Sequence, residues 1–290
     1  MGFAKQGASG AKSWLSSCLA VAVAVLALPA GGQGASLMPR IMGGSDANYD
    51  DYRFIVYMYN SVDKTFCGGS IVSDDWILTA AHCVKEASGK DITVFVGQAE
   101  YALDMAKGTK AAQIHSHPQY NDQSMVNDIA LVRMPSPVKG NVVSVNIDTS
   151  SVGDGVTLRA LGWGYTSPSG SKASKKLQQG DLKTLTKQQC GPVDTSFTGN
   201  DGARICVAAD AGPDTCPGDS GGPLVRTVGG KTVLTGLTSF GTAGPGKPIT
   251  SNCGAKGMVS IFTHVNHFKS FIDSTTGGLR EVQGDGKSDG

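Results

Sequence analysis

Nine short apolar runs separated by turn residues constrain the fold of this chain more than any other feature. They are bounded by Gly, Pro, Asn, Asp and Ser and span residues 54–59, 69–72, 76–79, 92–96, 128–134, 156–161, 203–207, 232–240 and 258–263. Apolar runs of this length, some with period-two alternation, are typical of β-strands. With 40 glycines and 12 prolines in 290 residues, the chain has many turns and few long helices. The pattern predicts an all-β sandwich or barrel.

One helical pattern occurs near the C-terminus. Val265, Phe268, Phe271 and Ile272 recur at the spacing of a helix with one apolar face. They predict a short helix that packs on the body of the domain. Residues 275–290 are polar and rich in glycine, and we predict a disordered tail because they have too little apolar surface to fold.

The first 35 residues have the features of a secretory signal peptide. Lys5 and Lys12 precede an unbroken run of 11 apolar residues, 18–28, which is too short to span a bilayer. Small residues follow and predict cleavage between residues 30 and 36. An amphipathic membrane anchor over residues 13–28 is the weaker alternative. The protein is therefore expected to be secreted and extracellular, without a membrane partner.

Charge balance argues against nucleic acid as a partner. The chain has 25 basic and 24 acidic residues, for a net charge of +1. A protein that binds nucleic acid or an anionic membrane surface usually carries a clear basic excess. Composition therefore provides no basis for proposing either partner.

Six cysteines remain once the signal peptide, which contains Cys18, is removed. An even number of cysteines in an oxidising compartment predicts disulfide bonds, although their number alone does not assign the pairs. The cysteines lack the CxxC or clustered Cys/His spacing of a zinc site.

A stretch of ten residues, 214–223 (DTCPGDSGGP), places Ser220 among glycines, behind an acid and near a half-cystine. Glycine at 218, 221 and 222 allows backbone angles and close approaches that a Cβ atom would block. A tight loop of this kind exposes the serine hydroxyl and directs neighbouring N–H groups toward one point. An ordinary surface turn is the alternative, and the rest of the chain distinguishes the two.

Two further polar residues lie at the ends of apolar strands. His82 follows the predicted strand 76–79, and Asp128 leads directly into the predicted strand 128–134. Considered alone, a histidine at the end of a strand is more often structural than catalytic, and an acid such as Asp128 most simply caps a strand or turn. A serine hydroxyl, however, becomes a good nucleophile only when a base removes its proton and a buried acid orients that base. Ser220, His82 and Asp128 supply these three chemical groups.

These motifs resemble those of the trypsin-like, or chymotrypsin-fold, serine protease family. The resemblance covers residues 41 to about 274 and rests on five motifs in the family's order: Ile41-Met42-Gly43-Gly44, Thr79-Ala80-Ala81-His82-Cys83, Asp128-Ile129-Ala130-Leu131, Gly162-Trp163-Gly164 and Gly218-Asp219-Ser220-Gly221-Gly222-Pro223. It implies two six-stranded antiparallel β-barrels with the active site between them, followed by the short C-terminal helix.

The resemblance implies a role for each residue of the site. Ser220 is the nucleophile, His82 is the general base and then the general acid, and Asp128 orients His82. The backbone N–H groups of Gly218 and Ser220 form the oxyanion hole.

The resemblance also implies activation by proteolysis. Residues 36–40 (SLMPR) form an activation propeptide, and cleavage after Arg40 creates an α-ammonium group on Ile41. In the family this group inserts beside the acid that precedes the nucleophile, here Asp219, and orders the oxyanion hole and the specificity pocket. The enzyme itself is one candidate for this cleavage.

Substrate specificity follows by the same resemblance. Asp214, six residues before Ser220, lies at the floor of the primary pocket and selects Arg or Lys at P1, the residue before the cleaved bond. The other expected substrate-binding residues are Thr215, Ser239, Phe240, Gly241 and Ser260.

The chain departs from the family pattern at three places around this pocket. Ser260 occupies a wall position usually held by glycine, where it is expected to narrow the slot. Phe240 replaces the usual tryptophan, and residues 242–252 form a longer loop than in a compact trypsin. These departures leave open a protease with broader or chymotrypsin-like P1 specificity.

The resemblance pairs the six cysteines as Cys67 with Cys83, Cys190 with Cys206, and Cys216 with Cys253. The segment that binds calcium in some trypsins corresponds to Gln98–Lys110, where Glu100 and Asp104 are the only acids. Neither has the family's ligand spacing, so no metal and no cofactor are expected.

A catalytically silent family member that acts as a binding module is the remaining alternative. Such proteins typically lack a triad residue, whereas all three are present here. The expected partners are polypeptide substrates with Arg or Lys at P1 and protein inhibitors of proteases, and a monomer is expected.

Overall fold

A computed structural model describes residues 41, 43–166, 172–208, 213–244, 246, 253–255 and 257–279. The predicted signal peptide, the predicted propeptide with Arg40, most of the 242–252 loop and residues 280–290 of the predicted tail lie outside these residues. No helix within the described residues is long and apolar enough to cross a membrane.

The described residues form fifteen strands, numbered in chain order. The first eight are β1 (Ser45–Asp46), β2 (Ile55–Asn60), β3 (Thr65–Ser73), β4 (Trp76–Thr79), β5 (Ile92–Phe95), β6 (Thr109–Lys110), β7 (Gln113–Ser116) and β8 (Ala130–Arg133). The other seven are β9 (Asn146–Ile147), β10 (Thr157–Gly162), β11 (Gln178–Lys183), β12 (Arg204–Ala208), β13 (Pro223–Val228), β14 (Lys231–Ala243) and β15 (Met258–His264).

These strands build two curled sheets, which confirms the all-β prediction. The first sheet has the order β6-β5-β2-β3-β4-β8-β7, and the second has the order β1-β11-β10-β13-β14-β15-β12, with β9 beside β14. All pairings are antiparallel except that of β9 with β14. The sheets have seven and eight strands rather than six each, because the two-residue strands β6 and β1 extend their edges and the two-residue strand β9 pairs with β14. Each sheet contains six strands of four residues or more.

Each of the nine predicted apolar runs overlaps a strand, but three longer strands were not predicted. In β11 the inward positions are held by Gln178, Gly180 and Leu182, so a single apolar side chain marks the buried face. β7 (QIHS) is polar apart from Ile114, and β13 begins with Pro223. Their amino-acid patterns do not show the alternation that identifies a half-buried strand.

The predicted C-terminal helix begins as a 3-10 turn, Val265–Phe268, and continues as an α-helix, Lys269–Thr276. The domain boundary predicted at residue 274 therefore falls inside the helix, and Thr275 and Thr276 are helical rather than part of a disordered tail. Gly277 ends the helix with a left-handed backbone conformation. A four-residue α-helix, Lys187–Cys190, and four further 3-10 turns complete the described helices: Tyr49–Tyr52, Ala81–Val84, Gly89–Asp91 and Met105–Lys107.

The largest apolar core joins the first sheet to the second. It contains the buried side chains of β2 to β5 and β8, together with Leu234 and Leu237 of β14 and Phe268 and Ile272 of the C-terminal helix. A second core, built on β10, β12 and β13, contains Ile41. The two sheets therefore pack as one body, and loops from both meet where they touch.

Candidate active site

The register of β4 and β8 brings His82 close to Asp128. Thr79, the last residue of β4, pairs with Ala130, the first residue of β8. His82 lies in the 3-10 turn just after β4, and Asp128 lies two residues before β8. Because the strands are antiparallel, both residues lie at the same edge of the first sheet.

Asp128 holds His82 with two hydrogen bonds. Its Oδ1 accepts from the backbone N–H of His82 at 2.9 Å, and its Oδ2 lies 2.8 Å from Nδ1 of the His82 ring. The second sheet fixes the aspartate in turn: the Ser239 hydroxyl donates to Oδ2 at 2.5 Å, and the Thr263 hydroxyl donates to the Asp128 carbonyl at 2.7 Å. At 1% exposure, Asp128 is screened from water by these groups.

The loop that carries Ser220 is held between the two sheets. The Ser220 carbonyl accepts from the Gly68 N–H in β3 at 2.7 Å, and the Gly221 N–H donates to the Thr238 carbonyl in β14 at 2.8 Å. Gly221 has φ +72°, and a Cβ atom on it would lie 2.2 Å from the Thr79 hydroxyl. Only glycine combines this backbone angle with this approach.

Two backbone N–H groups beside Ser220 are free to bind a ligand. The Asp219 N–H donates to the Cys216 carbonyl at 2.9 Å. Within the described residues, the N–H groups of Gly218 and Ser220 on either side of it have no acceptor. The φ of +97° at Gly218 creates this local conformation. The predicted oxyanion-hole donors are therefore unpaired in the structure.

His82 and Ser220 face the same cavity. Among the described residues, no hydrogen bond joins the Ser220 hydroxyl to the His82 ring, and the ring Nε2 lies 3.7 Å from Sγ of Cys83. Catalytic hydrogen bonds are often loose without substrate. The three predicted catalytic residues thus lie close together. Among the described residues, the hydrogen bond between His82 and Asp128 is present and the one between Ser220 and His82 is not.

Asp214 lies at a smaller cavity that Ser220 also lines. This cavity, of about 360 Å³, is lined by Asp214, Thr215, Cys216, Pro217, Ser220, Thr238, Ser239, Phe240, Gly241, Cys253 and Met258. The Asp214 carboxylate is 3% exposed, and burial raises its pKa. Its Oδ1 accepts from the Thr215 N–H at 2.8 Å and its Oδ2 from the Gly254 N–H at 2.6 Å.

Ser260 does not narrow this cavity as expected. It is 2% exposed in β15, it is not among the lining residues, and its hydroxyl donates to Oδ1 of Asp214 at 2.5 Å. The side chain therefore supports the carboxylate from the protein side. A glycine at this position would leave that oxygen with one donor fewer.

Phe240 rests on a buried ion pair outside the cavity. The Arg204 guanidinium carbon lies 5.2 Å from the centre of the Phe240 ring, and its Nη1 lies 2.5 Å from Oδ1 of Asp194. Its Nη2 donates to the Ser124 carbonyl at 2.6 Å, in the loop that leads to Asp128. Arg204 therefore connects the cavity wall to the loop of the catalytic aspartate.

Arg204→Met is expected to lower the free energy of unfolding by about 3–5 kcal/mol, because the buried Asp194 carboxylate would lose its partner. The double variant Arg204→Met/Asp194→Leu is the matched control, and it should recover most of the loss. Denaturant unfolding of the three proteins measures both effects. If the single and double variants were equally unstable, the arginine would stabilise the fold by packing rather than by pairing.

Asp219 is fully buried behind the Ser220 loop. Its carboxylate accepts from the Gly164 N–H at 2.7 Å and from the Cys216 N–H at 3.0 Å. A Cβ atom on Gly162 or Gly164 would lie 2.0–2.4 Å from this carboxylate, which explains both glycines of the Gly-Trp-Gly motif. Burial raises the pKa of Asp219 to about 7. Ile41 is also buried, against Gly180 of β11.

Three disulfides brace these loops, and their pairing confirms the prediction. Cys67 is bonded to Cys83, Cys190 to Cys206, and Cys216 to Cys253. The first bond lies beside His82, and the third joins two sides of the Asp214 cavity. The bonds fit a protein that folds in an oxidising compartment.

No group in the described residues has the character of a metal centre. The one cluster of close His, Cys or acidic ligands is Cys67, His82 and Cys83, whose two sulfur atoms are bonded to each other. In the segment expected to lack calcium, Asp104 caps a 3-10 turn and Glu100 forms a β-bridge with Lys176. The expectation that no metal binds stays a prediction.

Comparison with known proteins decides the family. The family model described as Trypsin matches residues 41–272 of this sequence. The chain belongs to the trypsin family. Brachyurin from Leptuca pugilator is 35% identical over 217 residues, covering 74% of this chain and 89% of the relative. Trypsin from Saccharopolyspora erythraea is 33% identical, covering 72% and 90%, and anionic trypsin from Canis lupus familiaris is 33% identical, covering 72% and 79%.

This trypsin-family protein is accordingly a serine endopeptidase that acts on polypeptides. The matched residues contain all five motifs on which the resemblance in the sequence was based.

Three contacts of this trypsin-family site were missed in the sequence. Ser239 was predicted to bind substrate, whereas its hydroxyl donates to Asp128, and Thr263 was not singled out. A hydroxyl-bearing residue inside an apolar strand, such as Thr263 in β15, is a signal for such a contact. The Gly68 N–H donates to the Ser220 carbonyl, and the only sequence signal for this contact is that Gly68 directly follows Cys67.

Proposed function

We propose that this protein is a secreted serine endopeptidase, made as an inactive precursor, that hydrolyses peptide bonds after Arg or Lys through an acyl-enzyme. The observation that carries the proposal is the buried Asp214 carboxylate at a cavity that Ser220 also lines. When the P1 side chain fills this cavity, the carbonyl carbon of the cleaved bond lies next to Ser220.

His82 is the general base. Because the Asp128 carboxylate only accepts hydrogen bonds, Nδ1 of His82 carries the proton between them, which leaves the lone pair on Nε2. As Ser220 Oγ attacks the carbonyl carbon, Nε2 takes the hydroxyl proton and then passes it to the leaving amine. Water repeats the sequence and releases the acyl group from Ser220.

The unpaired N–H groups of Gly218 and Ser220 are the donors for the oxyanion that forms in both steps. They are held in place before the reaction, so they stabilise the developing charge without reorganisation. Removing one such donor typically lowers kcat by about 10²–10³.

A buried carboxylate at the end of a cavity favours a cationic side chain. Arg and Lys carry a positive charge opposite Asp214 and donate the hydrogen bonds that an anion accepts best. Three donors from the protein already contact the Asp214 carboxylate, and burial raises its pKa. These two features support a second candidate, a broader P1 preference.

Proteolytic activation is supported by the surroundings of Asp219. Its carboxylate is buried with two N–H donors, and no cation from the described residues contributes to its electrostatics. Cleavage after Arg40 would supply an α-ammonium on Ile41, whose side chain is already buried in the second core. The new ion pair would favour the charged form of Asp219 and hold the neighbouring Gly218 and Ser220 in place.

The remaining expectations are part of this proposal. The three disulfides and the signal-like N-terminus support secretion. We further propose that the protein is a monomer whose partners are Arg- or Lys-containing polypeptides and protein inhibitors of proteases.

The test uses protein cleaved after Arg40 so that it begins at Ile41. A fluorophosphonate should label this protein stoichiometrically, and the Ser220→Ala variant is the matched control that should not be labelled. Cleavage of a peptide-amide library that varies P1 should occur after Arg and Lys. Absence of label on correctly processed protein would indicate a silent binding module, and equal cleavage after Phe or Leu would refute the P1 assignment.

Ser239→Ala is expected to lower kcat about tenfold and leave KM nearly unchanged, because a hydrogen bond to a charged carboxylate is lost. Thr235→Ala removes another buried hydroxyl of β14, which donates to Asp148 instead, and is the matched control. Steady-state kinetics on one Arg amide measure both variants. Equal losses in the two would attribute the effect to β14 packing rather than to Asp128.

A further inference from the structure

A second cavity also reaches Ser220, and its lining does not include Asp214. It has a volume of about 820 Å³ and contains Ser220, Gly218 and His82 in its lining. Ser220 and Pro217 line both cavities, so the two cavities meet at the nucleophile. Since the residue before the cleaved bond enters the Asp214 cavity, the residues after that bond leave toward the larger one.

The floor of the larger cavity is aromatic. Tyr57 contacts Tyr101 and Trp163, with ring centres 5.1 Å and 5.4 Å apart, and Phe66 contacts Tyr101 at 5.3 Å. Burial raises the pKa of Tyr101 to about 12 and also raises that of Tyr57, so both phenols stay neutral at ordinary pH. Tyr57 and Trp163 are buried, so the half-buried rings of Tyr101 and Phe66 supply the uncharged aromatic surface that a ligand ring can contact.

One polar group of the floor has no partner. The indole N–H of Trp163 is buried and makes no hydrogen bond within the described part of the chain. Tryptophan N–H groups usually find an acceptor when they are buried. Because this N–H is itself buried, it is an unsatisfied donor beneath the floor and not a contact that the cavity presents to a ligand.

The wall of the cavity joins loops from both sheets. The Tyr101 N–H donates to the Lys175 carbonyl at 2.7 Å, and Glu100 forms a β-bridge with Lys176. Leu103 lies at the rim with 50% of its surface exposed. These backbone bonds make the wall a fixed surface rather than two independent loops.

The rim carries positive charge. Lys64, Lys172 and Lys175 line the cavity and are exposed, and none of them forms an ion pair with the residues that the structure describes. Asp63, the single acid among the described lining residues, accepts two hydrogen bonds from Thr65. Three cations and one anion therefore surround an aromatic floor.

We propose that this cavity selects the leaving-group side of the substrate: an aromatic side chain among the first two residues after the cleaved bond, next to Asp or Glu. The aromatic ring packs on the floor, and the carboxylate faces the three lysines. This inference rests on the proposed peptidase function, and it adds a second requirement to the choice of P1. Substrates would then be basic before the bond and aromatic and acidic after it.

The experiment compares quenched fluorescent peptides that share Arg at P1 and continue with Phe-Glu, Phe-Lys, Gly-Glu or Gly-Lys. Protein beginning at Ile41 is used, and an Arg p-nitroanilide, which has no residue after the bond, reports the peptidase activity separately. We expect kcat/KM to be about tenfold higher for Phe than for Gly, from burial of the ring. We also expect it to be about tenfold higher for Glu than for Lys, a difference that shrinks as salt screens exposed charges.

Charge reversal locates the selecting residues. In Lys172→Glu/Lys175→Glu, the ratio of kcat/KM for Phe-Glu to that for Phe-Lys should fall below one, whereas Lys231→Glu, an exposed lysine on a distant hairpin, should keep the unmodified ratio. Because each ratio is taken within one variant, changes in overall activity cancel. Cleavage of the nitroanilide with equal rates for all four peptides would overturn this inference alone. No cleavage of the nitroanilide would overturn the peptidase proposal.

Discussion

Replacement of Asp214 by serine is expected to lower kcat/KM for peptide amides with Arg or Lys at P1 by about 10⁴-fold. Among the described residues that line the cavity, Asp214 is the only one with a carboxylate, so in the variant a buried cation would have no countercharge there. The loss should appear in both kcat and KM, because a mispositioned P1 side chain also displaces the scissile carbonyl. Steady-state kinetics on Arg, Lys, Phe and Leu amides measure the change.

Two controls separate a change of specificity from a loss of the site. The Asp214→Ser variant should still react with a small fluorophosphonate, because the reagent does not need the cavity. Ser260→Ala removes one donor to Asp214 and keeps the carboxylate, so Arg and Lys should remain the preferred residues. If Asp214→Ser kept the unmodified preference, Asp214 would not be the floor of the pocket.

The strands that the sequence predicts well are those whose apolar residues are consecutive or alternate. β4 was predicted with its observed bounds, Trp76–Thr79, because every side chain in it is buried. β11 was missed because Gly180 and Gln178 occupy inward positions, where close packing against Pro213 and a hydrogen bond to Asp46 replace apolar contacts. Hydrophobic periodicity cannot show contacts of this kind.

The positions of the site residues followed from motif order, but the directions of their side chains did not. Ser260 was expected to face the cavity, and instead it donates to Asp214. Ser239 lies on the cavity wall as predicted, yet its hydroxyl serves Asp128. In each case the hydroxyl turns to a buried carboxylate contributed by a distant part of the chain, because an unmet carboxylate oxygen is costly. Such pairings depend on tertiary packing, which local sequence does not encode.

Asp219→Asn is expected to lower kcat/KM of protein cleaved after Arg40 by about 10³-fold. The amide cannot form an ion pair with the Ile41 α-ammonium, so the loop with the Gly218 and Ser220 donors would lose its order. The loss of rate should be at least as large as that from removing one oxyanion-hole donor. Steady-state kinetics on an Arg amide measure the overall rate, and titration of Ser220 counts the reactive sites. Together they show whether every site is slower or whether fewer sites are ordered. Asp181→Asn, at an exposed acid of β11, is the matched control.

Asp219→Asn should also change the stability of the protein, in opposite directions before and after cleavage at Arg40. Before cleavage, burial raises the pKa of Asp219 from 3.8 to about 7. Between these values the folded chain keeps a proton that the unfolded chain releases, so stability falls as pH rises from about 4 to 7. At pH 8, Asp219→Asn should therefore stabilise the precursor by up to about 4 kcal/mol, and at pH 4 it should change stability little. In cleaved protein it should destabilise, because the ion pair is lost. Unfolding of both forms at the two pH values tests this reversal, and a shift in the same direction in both forms would show that the Ile41 ammonium does not pair with Asp219.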